Sequence, residues 1–114
     1  MFGADRERDI FMLHKELVKI PRATLDFYKY EEDGLIFYEF DASECTTPEP
    51  MVNAMAGLAL LENDNERLVG KFFHKPIPLL NRISEYFSYE TYELESGDFC
   101  IVFKKSQTLY SKSV

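Results

Sequence analysis

Cysteine is scarce in this 114-residue chain: there are two, Cys45 and Cys100, with no CxxC spacing. A secreted domain of this size more often carries a disulfide framework, so the reading is of a reduced, cytoplasmic chain. Long apolar runs are missing as well. The longest, Ala54 to Leu61, is eight residues, far below the roughly 20 that span a bilayer, which predicts no membrane partner. The start of the chain is charged from Asp5 onward and has no apolar stretch of the kind a secretory signal needs. Basic residues are outnumbered, 13 against 20 acidic ones, which leaves a formal charge of −7. A field of that sign repels phosphate backbones and argues against nucleic acid as a partner. There is no phosphate loop, dinucleotide-binding turn, nucleophile elbow or HExxH motif. Two histidines, His14 and His74, are too few for a zinc site beside Asp41, Glu44 and Glu49. These absences predict neither a cofactor nor a metal, and no catalytic residue is visible, so an enzyme is the weaker expectation.

What is there is core-forming material. Hydrophobic residues make up 46% of the chain, enough for one domain to bury a core without staples. Asp5 to Lys19 reads as an amphipathic helix, with Ile10, Leu13, Leu17 and Ile20 on one stripe and Pro21 as its stop. Thr24 to Tyr30 and Leu35 to Asp41 read as a hairpin around Glu31-Glu32-Asp33-Gly34. Thr47 and Pro48 open a helix whose buried stripe is Met51, Met55, Leu58 and Leu61. Arg67 to His74 is a strand, and a second helix runs from about Pro76 to Phe87 with Ile77, Leu80, Ile83 and Phe87 inward. Ser88 to Leu94 and Phe99 to Lys104 are the last strands, and 106–114 read as a polar tail. Two strand–helix–strand units place both helices on one face of the sheet. In the last strand Phe99, Ile101 and Phe103 point one way and Cys100 and Val102 the other. Both faces are therefore expected to be covered, the second by the N-terminal helix, with Cys100 buried.

Four blocks carry a family resemblance: Phe40-Asp41 closing a strand, Thr47-Pro48-Glu49-Pro50-Met51 opening a helix, His74-Lys75-Pro76-Ile77-Pro78-Leu79, and Gly97-Asp98-Phe99 before the final strand. From Phe40 to Lys105 the chain resembles the TusA/SirA-like family, and within it the uncharacterised branch of small proteins described as domains of unknown function. The resemblance implies a two-layer α/β sandwich, βαβαββ, with a mixed sheet in the order 1-2-4-3. Residues 31–105 would form that domain, and 1–30 would extend it with a helix and an extra edge strand. Sulfur-carrier members of the family have Cys-Pro-x-Pro at the helix start. Thr47 stands at the cysteine position here, and a hydroxyl cannot form a persulfide.

Two functions from different classes follow. The first is a binding or regulatory module that holds a protein partner or a small anion at the edge where both helices begin. Thr47, Pro48, Glu49, His74 and Lys75 would line it, drawing on helix dipoles and the Lys75 charge against the acidic background. The second is a sulfur-transfer or redox protein using Cys45, two residues before Thr47. Plain helix capping by Thr47 and Glu49 is the competing account of the same residues.

Overall fold

A computed structural model describes residues 14–106. The elements are β1 (Glu16–Val18), β2 (Phe27–Glu32), β3 (Leu35–Ala42), α1 (Glu49–Leu58), β4 (Glu66–Phe72), α2 (Ile77–Ile83), β5 (Phe87–Glu93) and β6 (Phe99–Lys105). The strands form one mixed sheet in the order β1-β2-β3-β4-β6-β5. Among the described strands only β3 and β4 are a directly paired parallel couple; the other neighbours are antiparallel. Among the described residues this is an α+β fold of six strands and two helices. No helix among the described residues is long and apolar enough to cross a membrane.

Alternation along the strands sorts the sheet into two faces. Phe27, Phe40, Leu68, Phe72, Ile101 and Phe103 point to one side and are buried with Ala54 and Leu58 of α1 and Leu79, Leu80 and Ile83 of α2. Both helices therefore pack on the same face, as two strand–helix–strand units require. Helix α1 approaches closely because Gly57 faces the sheet: a Cβ there would lie 2.6 Å from a Leu68 methyl and 3.0 Å from the Phe27 ring. Gly70 plays the same part within β4, under the edge-to-face pair of Phe40 and Phe72, whose ring centroids are 5.7 Å apart. On the other face Tyr30 stacks on Phe37 at 5.0 Å, and Lys15 reaches over the Tyr30 ring to the Glu39 carboxylate at 3.1 Å. Cys100 and Val102 on this face are half-buried, so Cys100 is less enclosed than expected. Burial and the Glu39 charge still push its thiol pKa up, against a smaller opposing pull from Lys71.

Several expectations need correction. The N-terminal helix cannot run to Lys19, because Glu16–Val18 pairs with β2, Val18 opposite Phe27; sheet pairing overrides a helical spacing here. Residues 5–13 of that stretch lie outside the described residues, as do 107–114, while Val18 and Ile20 pack against the core on the helix-covered face, not over the second face. The hairpin turn is two residues, Asp33 and Gly34, both with positive φ, the conformation that matches strand twist. In α1 the buried side is Asn53, Ala54, Gly57 and Leu58, and Met55 is 40% exposed. Helix α2 stops at Ile83, Ile77 faces out, and Phe87 reaches the core from the start of β5. Strand β4 ends at Phe72, leaving Phe73 and His74 beyond it.

Candidate functional site

The register of the parallel pair builds the candidate site. Ala42 is opposite Phe72 at the carboxyl ends of β3 and β4, so the loop 43–48 and the loop 73–76 leave the sheet side by side. In open α/β sheets this is the edge where ligands settle. Between the loops lies a half-open pocket of about 400 Å³, lined on one side by Cys45, Thr47 and Pro50 and on the other by Phe73, His74 and Lys75. Four of the residues singled out in the sequence, Cys45, Thr47, His74 and Lys75, thus share one cavity.

The local geometry changes what each can do. Thr47 does not cap α1. The cap position is Pro48, after a cis Thr47–Pro48 peptide, and no side chain caps the helix. The first-turn donors are spent or missing: Glu49 N–H donates to the Thr46 carbonyl at 2.9 Å, Pro50 has none, and Met51 N–H donates to the Pro48 carbonyl at 3.1 Å. At α2, Pro76 and Pro78 lack donors and Ile77 N–H donates to the Lys75 carbonyl at 2.9 Å. Backbone amides at these two starts are therefore poor anion ligands, and recognition falls to side chains.

Glu49 is also engaged. Its carboxylate accepts a 2.7 Å bond from Thr24 Oγ1. Asp41 closes the end of β3 by accepting from Ser43 Oγ at 2.6 Å and Ser43 N at 2.9 Å, with Lys71 Nζ at 4.0 Å. Burial raises the Asp41 pKa, but the Ser43 bonds and the Lys71 charge outweigh it and hold the carboxyl below its ordinary value. Cys45 goes the other way: burial, then Glu49, then Asp41 and Glu44 push its thiol up. The acidic side of the pocket is thus unfavourable to a thiolate, and to any anion placed against it.

The opposite side is free. Among the described residues, the side chains of His74 and Lys75 have no hydrogen-bond or ion-pair partner; His74 leans on Phe73 and Lys75 lies 6.0 Å from the Phe99 ring centroid. Phe73 is 57% exposed and Ile77 49%. Behind the Pro48–Pro50 ridge, a second groove of about 680 Å³ is lined by Pro21, Met51, Val52 and Met55. Large exposed apolar side chains grouped beside the unpaired Lys75 charge and the His74 ring are the surface signal here.

Sequence reading passed over Phe73 as one more strand aromatic, although its position next to two prolines at 76 and 78 marks where the strand has to end. It also passed over Asn53, which is wholly buried and ties the approach to β2 onto α1. Asn53 Oδ1 accepts from Thr24 N at 2.8 Å and Leu25 N at 3.0 Å, and its Nδ2 donates to Thr24 Oγ1 at 2.8 Å and the Glu49 carbonyl at 2.9 Å. A polar residue in an apolar run was the available signal. No group of metal-ligating side chains occurs among the described residues. Compared with known protein families, curated proteins and solved structures, the chain has no match.

Proposed function

We propose that the protein is a binding module of TusA/SirA-like architecture, acting in the cytoplasm, whose edge pocket docks a protein partner through an acidic group. The observation that carries this is the pairing of the unpartnered His74 and Lys75 side chains with exposed Phe73 around one cavity, with exposed Ile77 just beyond its rim-forming Pro76. An acidic side chain or chain terminus would sit against Lys75 and His74, and apolar neighbours would cover Phe73 and Ile77. The architectural half of the reading is supported by the core sheet order. Strands β3, β4, β5 and β6 are arranged β3-β4-β6-β5, with a helix after each of the first two, which is the 1-2-4-3 pattern the resemblance implies. Two unpaired cysteines fit a reducing compartment.

A small anion probes the electrostatic half of the site. Titrating isotope-labelled protein with phosphate, sulfate or acetate should give saturable amide shifts centred on Cys45 to Thr47 and Phe73 to Ile77. Shifts scattered over the surface, or none at millimolar anion, count against the reading.

The sulfur-transfer alternative rests on Cys45 lining the same pocket. Its surroundings oppose it, since burial and three carboxylates favour the protonated thiol. After incubation with a persulfide donor, intact mass spectrometry should show no stable one-sulfur adduct on Cys45. Such an adduct would revive the alternative.

A further inference from the structure

We propose that the outer edge of β5 is a second docking surface, one that takes an extended, basic segment of a partner protein as a seventh strand of the sheet. The two edges of the sheet are unequal. Strand β1 is three residues long, whereas β5 runs seven residues, Phe87–Glu93, and ends the sheet order with no described strand beyond it. Its register with β6 is continuous from Phe87 opposite Lys105 to Glu93 opposite Phe99, so no bulge twists the edge away. The strand contains no proline and no lysine, two devices that usually blunt an edge. Unpaired N–H and C=O groups along such an edge select an extended chain over a helix or a small molecule.

Side chains select the sign of the partner. Glu90 faces the same side as Val102, and Glu93 the same side as Phe99, so each face of the edge carries one carboxylate. Tyr89 and Tyr92 are exposed beside them and offer broad apolar contact. Lys104 and Lys105 sit opposite Ser88 and Phe87, at the other end of β5, so the basic residues of an incoming strand belong at the Glu90–Glu93 end. A second copy of this chain fits poorly: the antiparallel register that pairs all seven residues sets Glu90 against Glu90, and like charges directly opposite destabilise a pair.

The test uses the full chain and a blocked Thr-Val-Lys-Thr-Val-Lys-Thr peptide, whose lysines three apart point to opposite faces as Glu90 and Glu93 do. On binding, alternate amides from Phe87 to Glu93 should exchange more slowly. The same peptide with glutamate for lysine should bind about tenfold more weakly, and the variant Glu90→Lys/Glu93→Lys should reverse the preference. Equal affinity for both peptides overturns the proposal. So does protection of the outward amides in the free protein, whether independent of concentration, which means another part of the chain occupies the edge, or rising with concentration, which means a second copy does.

Discussion

Replacing Asn53 by leucine should lower stability by about 2 kcal/mol, because two part-buried backbone donors then have no acceptor and each such loss costs about 1 kcal/mol, the low end for a buried donor. The donors are Thr24 N–H and Leu25 N–H, both directed at Asn53 Oδ1. Leucine has a similar size, so the effect is polar, with little cavity contribution. Thr24→Val is the informative partner. It removes the hydroxyl that Asn53 Nδ2 and Glu49 share but leaves both amide bonds, and should cost about 1 kcal/mol. Urea unfolding with an unchanged slope reads both values. An Asn53→Leu midpoint equal to that of Thr24→Val would show that the two amide bonds matter little.

Truncating Phe40 to alanine should cost about 3–5 kcal/mol, the range for a buried aromatic. Phe40 stacks on Phe27 at 5.0 Å and meets Phe72 edge-on at 5.7 Å, so its loss opens the centre of the sheet face that α1 covers. Gly70→Ala should destabilise by about 1–3 kcal/mol for the opposite reason, overpacking. Its new Cβ would sit 2.8 Å from both the Phe40 and Phe72 rings. The two changes share one space. In the double variant Phe40→Ala/Gly70→Ala the cost should fall short of the sum of the single changes, measured as a cycle by thermal or urea unfolding. Strict additivity would mean that the Phe40 ring does not lie over Gly70.

The course of the chain from Leu35 to Lys105 was readable because local signals agreed there. A polar Glu31-Glu32-Asp33-Gly34 segment closed by glycine, prolines at the start of both helices and the alternation of Phe99, Ile101 and Phe103 all point to the same element order. Where one signal stood alone it misled. The spacing of Leu17 and Ile20 fits a helix, but Val18 gains a partner in Phe27 only once the sheet exists. Met55 lies on a helical stripe with Met51, yet the smaller Ala54 and Gly57 are what let α1 settle against Leu68. The gathering of Cys45, Thr47, His74 and Lys75 followed from strand order and needed no side-chain detail. Their chemistry did need it: the spent donors at the start of α1 and the Thr24–Glu49 bond depend on how proline and a distant threonine fall in three dimensions.

Recognition at the edge pocket is proposed to fall to its His74–Lys75 side. It is tested most directly by comparing phosphate affinity in the wild type, His74→Ala, Lys75→Ala and the control Lys71→Ala, each at fixed ionic strength. Lys71 is already held near Asp41 on the opposite sheet face at 4.0 Å, so its removal should leave affinity unchanged. Affinity should drop several-fold with either pocket variant, and the Cys45–Thr47 shifts should shrink in step. Equal affinity in all four proteins, or a loss confined to Lys71→Ala, would contradict it.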